Sequence, residues 1–221
     1  MSFSDVLEIL YEDNHCLALN KPAGWPSTHF DGGEETVDRL AKAYLKEKHN
    51  KPGNVFLGVV HRLDKPTSGV LLFARTSKAA ARLSEQFREN AIEKTYWAVV
   101  SRSATTERRF TEVLTTGMLE DWLIRDDTAA RTNVVPANTP GAQSARLMFQ
   151  VRGAGEGLSW LELRPHTGRK HQLRAQLASR GMPVYGDRKY GSTYNFGPAI
   201  ALHARSLRSE EHTSELQSPY V

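Results

Sequence analysis

VFLGVV at 55–60, HRLDKPTSG at 61–69 and VLLFA at 70–74 decide how this chain folds. Two apolar runs of strand length bracket a polar loop, which predicts two buried strands joined by a connection that holds Asp64 in place. A carboxylate beside Arg62, with small hydroxyls at Thr67 and Ser68, sits where chemistry is usually placed, on a loop carried by rigid elements. Asp, Pro, Ser and Gly are equally ordinary turn residues. The local pattern alone fits either a reactive loop or a plain hairpin turn.

Working outward, apolar runs at Val6–Tyr11 and His15–Asn20 flank Asp13-Asn14 and predict an antiparallel hairpin, broken by the loop Lys21-Pro22-Ala23-Gly24. Val37, Leu40, Ala41, Tyr44 and Leu45 fall at helical spacing, with Thr36 as N-cap and Pro52-Gly53 beyond the end. A second amphipathic helix starts at Ser77 and turns Ala80, Leu83 and Phe87 to one face. Thr95–Val100 reads as a strand. From Arg102 to Gln143 scattered charges and Thr pairs give no periodicity, and no element is assigned. Strands are expected again at Ala145–Val151 and Leu158–Leu163, then a loop through Thr167-Gly168-Arg169 and a helix from about Lys170 to Ser179. Strands and helices mixed without steady alternation argue for an α+β fold rather than a doubly wound parallel sheet.

The 221 residues, 39% hydrophobic, suffice for one domain with a real core. The single cysteine, Cys16, lies in an apolar run and is expected to be a small core residue in a reducing compartment. No run approaches the ~18 apolar residues of a membrane span, and MSFSDVLEIL lacks the layout of a signal peptide. A cytoplasmic protein is expected. The net charge of +4 permits a polyanionic partner. The last thirteen residues hold Glu210, Glu211 and Glu215 and no Lys or Arg, leaving 29 basic against 22 acidic residues before them. That stretch lacks periodicity, and RSEEHTSELQS resembles the translation of a sequencing-library adapter. Residues 209–221 are therefore expected to be a non-native tail that packs poorly, on a domain spanning 1–208 that is truncated at its C-terminus.

The histidines are scattered without the close ligand pairs of a zinc site, so no metal is expected. Nor is there a glycine-rich phosphate loop with its lysine.

KPAG at 21–24, HRLDKPTSG at 61–69, EKTYWAVV at 93–100, TGRKHQLR at 167–174 and GMPVYGDRKYG at 181–191 followed by LHA together resemble, in order, the motif series of the RluA-type pseudouridine synthases. The resemblance runs from about Leu7 to Leu207. It implies that family's fold, a mixed, largely antiparallel central sheet flanked by helices with a catalytic cleft across it. It also implies an isomerase that converts uridine to pseudouridine in ribosomal or transfer RNA. That reaction needs an ionised carboxylate beside the sugar, as nucleophile or as base, and neither metal nor redox cofactor. Asp64 takes this place in the motif, and sequence does not choose between the two routes. By the same resemblance, Arg174 pairs with Asp64, and a guanidinium there favours the charged carboxylate. Tyr96 lies against the target base; strand alternation puts it on one face with Ala98 and Val100. Arg62 enters the space left by an extruded nucleotide.

Lys21, Arg169 and Lys170, with Arg188 and Lys189, are expected to track phosphates, and His61, Thr67, His171 and Gln172 complete the expected RNA-contacting set. Lys170 departs from the Ser or Thr usual at its position. No room is left for the N-terminal S4 RNA-binding domain that many members carry, and a monomer without nucleotide cofactor is expected. Two other readings stay open: a catalytically idle RNA-binding module, and an N-glycoside hydrolase, which would release free uracil.

Overall fold

The computed structural model describes residues 7–28, 34–102, 115–209 and 212–218. Contacts sort the chain into two units, Met1–Ile92 with Ala204–Val221, and Glu93–His203.

In the first unit, β1 (Glu8–Glu12) and β2 (Cys16–Lys21) form the expected antiparallel hairpin. Its turn is fixed by Asp13, whose Oδ1 accepts the N–H groups of His15 and Cys16 at 2.8 and 2.6 Å. β2 pairs along its whole length with β4 (Ser68–Ala74), from Cys16 opposite Ala74 to Lys21 opposite Gly69. The order continues to β10 (Leu202–Ser209). Gly69 has φ +113°, and a Cβ there would stand 2.2 Å from the carbonyl oxygen of Ala204. Only glycine lets the two backbones approach this closely.

The run at 55–60 yields much less strand than expected. β3 is only Gly58–Val59, paired with Ala74 and Phe73. β3 goes no further because the Leu72 N–H, beyond the pair at Phe73, is taken by the ring of His61. Phe56 and Val59 are left exposed.

α1 (Val37–Lys48) buries Val37, Leu40, Ala41 and Leu45, the stripe expected from their spacing. Thr36 occupies the N-cap position without capping; its hydroxyl goes to Asp38 instead. The first helical N–H groups, of Val37 and Asp38, are satisfied by the carbonyls of Pro26 and Ser27. α2 (Ser77–Arg88) is capped by Thr76, which accepts from the Ala79 N–H. Its Leu83 packs with Ala18, Val70 and Leu72, and Cys16 joins that cluster, where burial pushes its thiol up.

The C-terminal tail differs from expectation. β11 (His212–Gln217) pairs antiparallel with β10, Leu216 packs on the same cluster and Ser218 is fully buried. Antiparallel ladders are bonded through the backbone, which asks little of side-chain periodicity.

The second unit is an antiparallel sheet in the order β5 (Ile92–Ser101), β9 (Leu158–Pro165), β8 (Gln143–Gly155), β6 (Thr116–Asp126), β7 (Arg131–Val135). The β6–β7 hairpin lies in the stretch where sequence assigned nothing. Only Leu119 and Leu123 are fully buried along β6, so the strand shows too little alternation to read. α3 (Gln172–Ala178) begins two residues later than expected, because His171 sits at φ 52° in the left-handed region. Leu173 and Leu177 bury against Ala98, Val100, Leu147 and Leu161 of the sheet. No helix among the described residues is long and apolar enough to cross a membrane. Among the described residues, three α-helices on largely antiparallel strands make the α+β fold expected from the sequence.

Candidate active site

Asp64 is held through its two neighbours. On one side, the Leu63 N–H donates to Ser27 Oγ at 3.1 Å while the Ser27 hydroxyl donates to the Leu63 carbonyl at 2.8 Å. On the other, the Lys65 carbonyl accepts the Gly24 N–H at 2.8 Å and Lys21 Nζ at 3.2 Å. The Thr67 N–H closes the turn on the Asp64 carbonyl at 3.0 Å. The segment Lys21–Ser27 thus grips the loop, and the carboxylate it carries is half-buried.

Lys21 differs from the expected phosphate-tracking role. It is fully buried, and Nζ also donates to the carbonyls of Pro22 and Trp25, at 2.9 and 2.7 Å. Burial lowers its ammonium to about 7, against the pull of the nearby Asp64 carboxylate, which raises it. The residue is a cross-brace whose positive charge faces Asp64 from inside. Thr67, expected among the RNA contacts, is 2% exposed, with an Oγ1 that has no partner among the described residues. His61 works inward as well: Nε2 accepts the Leu72 N–H at 2.9 Å and the ring stacks on Phe87 at 4.7 Å. Arg62 is exposed.

In the other unit, Tyr96 packs against the cluster that holds Ala98 and Val100, so the expected shared face is observed. Arg174, 4% exposed, makes a two-pronged ion pair with Asp187, Nε to Oδ2 at 2.6 Å and Nη2 to Oδ1 at 2.9 Å. Its guanidinium lies 4.9 Å above the Tyr190 ring. Both Asp187 and Tyr190 come from the stretch VYGDRKYG and were not singled out as site residues. The signal available was a lone acid between glycine and two cations in a motif already recognised.

Tyr190 is itself tied down. Its hydroxyl accepts the Thr132 N–H at 2.8 Å and meets His171 Nδ1 at 2.9 Å, so His171 is engaged with the protein rather than presented to solvent. Gln172, also expected to touch RNA, is buried and bonds inward: Oε1 accepts from Thr167 Oγ1 and the Arg169 N–H, and Nε2 donates to the Arg146 carbonyl. It shapes the loop that leaves Arg169 and Lys170 exposed. The unassigned hairpin supports the same loop, through Thr132 Oγ1 to the Lys170 carbonyl at 2.8 Å and through Asp121, which holds Gln176 and Arg180 of the α3 region.

Asp64 thus sits on a clamped loop of the first unit, while the second unit packs Tyr96 against its core and seats Arg174 on a carboxylate. Residues 15–179 match the family model described as RNA pseudouridylate synthase, and the chain belongs to that family. It is similar to tRNA pseudouridine synthase C of Pectobacterium carotovorum subsp. carotovorum, 35% identical over 98% of this chain and 56% of that protein. It is also similar to the uncharacterized RNA pseudouridine synthase YhcT of Bacillus subtilis (strain 168), 36% identical over 92% of this chain and 64% of that one. The chain therefore spans less than two thirds of the length of either relative. Among solved structures, human RNA pseudouridylate synthase domain containing 4 shares the fold, with a TM-score of 0.78 at 24% identity over 96% of this chain and 88% of that one.

Proposed function

We propose that the chain is an RNA pseudouridine synthase that isomerises a uridine in ribosomal or transfer RNA, working in the cytoplasm as a monomer without a cofactor. The observation that carries this reading is the clamp on Asp64 within a chain of this family. A carboxylate fixed through both neighbouring residues keeps its orientation while a nucleotide docks.

In the proposed reaction the N1–C1′ bond of the target uridine breaks, the uracil turns, and C5 bonds to C1′. The C5 proton leaves to solvent and N1 ends protonated, so atoms balance without an oxidant. Asp64 acts either as nucleophile at C1′ or as base toward the 2′ proton. Tyr96 lies against the base, Arg174 supplies positive charge for the site, and Arg62 fills the space that the extruded nucleotide leaves. Exposed Arg169 and Lys170 meet phosphates.

Tritium release from RNA labelled at uracil C5 tests the proposal, since that hydrogen must leave during isomerisation and not during binding. Wild type releases tritium and leaves pseudouridine in the RNA; Asp64→Asn releases none above background while still binding RNA. Free uracil in place of RNA-bound pseudouridine would mean a hydrolase instead.

A further inference from the structure

Besides Tyr190 beneath Arg174, residues 185–197 carry three aromatic rings that the proposed chemistry does not use. Tyr185 and Tyr194 stack with centroids 4.5 Å apart and planes 24° from parallel, and Phe196 meets Tyr185 edge-on at 5.8 Å. Tyr194 and Phe196 remain 42% and 50% exposed. Single exposed apolar residues are ordinary, but two large exposed rings packed on the same Tyr185 form a patch that calls for a partner.

The loop is pre-shaped. The Gly186 and Tyr194 N–H groups both donate to the buried Ser192 hydroxyl, at 3.1 and 3.3 Å. The Gly197 N–H donates to Asn195 Oδ1 at 3.1 Å, and the Ala199 N–H to the Phe196 carbonyl at 3.2 Å. Gly186 has φ +84°, and a Cβ on it would stand 2.5 Å from Phe196 Cβ, so the Phe196 backbone lies directly on this glycine. Little ordering is left for a ligand to impose.

Its anchorage is informative too. The Tyr185 N–H donates to the Val99 carbonyl at 2.8 Å, which fastens the loop to β5, the strand of Tyr96, and the Ala201 N–H closes on the Tyr185 carbonyl at 2.9 Å. Between Tyr185 and Tyr194 lie Asp187, the partner of Arg174, and the exposed cations Arg188 and Lys189. No acidic residue occurs from Arg188 to Arg208.

The geometry points to a base-stacking platform: unpaired bases of the RNA substrate stack on Tyr194 and Phe196 while Arg188 meets an adjacent phosphate. This rests on the chain acting on RNA. Flat π-faces interleaved with cations and free of carboxylates suit single-stranded RNA, since every base offers a face and every linkage a negative charge. A fully paired helix has its faces stacked internally and offers only phosphates. The platform therefore favours substrates that offer it unpaired nucleotides.

The test compares wild type with the Tyr194→Leu/Phe196→Leu double variant of the full chain, which keeps apolar cover over Tyr185 but removes both π-faces. Fluorescence anisotropy is read with a labelled oligoadenylate, an abasic oligomer of equal length and a fully paired RNA hairpin. Wild type should bind oligoadenylate more tightly than the abasic oligomer, and the double variant should lose about tenfold per ring on oligoadenylate alone. Tyr194→Trp should keep the wild-type preference. Arg188→Gln should weaken all three probes and reduce the salt slope by about one phosphate contact. Equal oligoadenylate affinity in wild type and double variant would overturn the proposal and leave the patch to a protein partner. An equal loss on all three probes would also overturn it. These are binding readouts, so a wild-type protein that failed to release tritium would sink the enzymatic reading without altering the stacking result.

Discussion

Ser27 exchanges two hydrogen bonds with the backbone of Leu63, the residue before Asp64, and offers the most direct way to loosen the carboxylate without touching it. In Ser27→Ala the buried Leu63 loses both partners, which should cost about 1–3 kcal/mol in stability and lower turnover by roughly ten- to a hundredfold. Urea unfolding and tritium release check the two effects; unchanged turnover would remove the clamp from the argument. Lys21 sets a pH dependence. Its ammonium falls from an ordinary 10.5 to about 7 on folding, so between those values the unfolded chain holds a proton that the folded chain has released. Stability gained from this group rises as pH climbs from about 7 toward 10. The melting-temperature difference between wild type and Lys21→Met should shift in favour of wild type over that range, and a flat difference would refute it. Arg62 and the Tyr96 face were legible because exposure beside a loop and strand alternation are local properties. Lys21 was misread because the carbonyl of Lys65, 44 residues away, joins two nearby carbonyls in enclosing it.

At the scale of elements, α1 is joined to the β1–β2 hairpin by Glu12, whose carboxylate accepts from Tyr44 and Lys48 at 2.8 Å and pairs with His49 and Arg75. Burial alone would raise this carboxyl, but hydrogen bonds from Lys48, Tyr44 and His49 overcome it and hold the group at about 2. Its contribution is complete above the ordinary value near 4.5 and is lost as pH falls toward 2. Glu12→Gln should therefore destabilise by about 1–3 kcal/mol at neutral pH. The gap from wild type should close in acid, which thermal unfolding between those pH values reads directly. Helices α1 and α2 and the first hairpin were legible because each carries its own period and its own turn residues. The β6–β7 hairpin was not, for it braces the motif loop through Thr132 and the helix after it through Asp121, and polar bracing residues at strand positions blur the alternation by which strands are recognised. Asp187 escaped for a related reason. A carboxylate seating an arginine thirteen residues away leaves no periodic trace.

Across the whole molecule, the ordered motif series identified the family and the α+β mixture identified the class, because both survive without knowledge of long-range pairing. The return of the chain to its own beginning was not foreseen. The unit that holds Asp64 is discontinuous: it is closed by residues 204 onward after the whole of Glu93–His203 has intervened. Gly69, at the exit of the Asp64 loop, is covered by the backbone of Ala204. During synthesis on the ribosome, then, the loop bearing the carboxylate is made early yet cannot be sealed until residue 204 has emerged. Nascent chains halted before Leu202 should be cut by protease near residues 61–69, and chains released past Gln217 should resist. Sealing of the Asp64 loop is thereby timed by the arrival of β10 and not by synthesis of the loop itself.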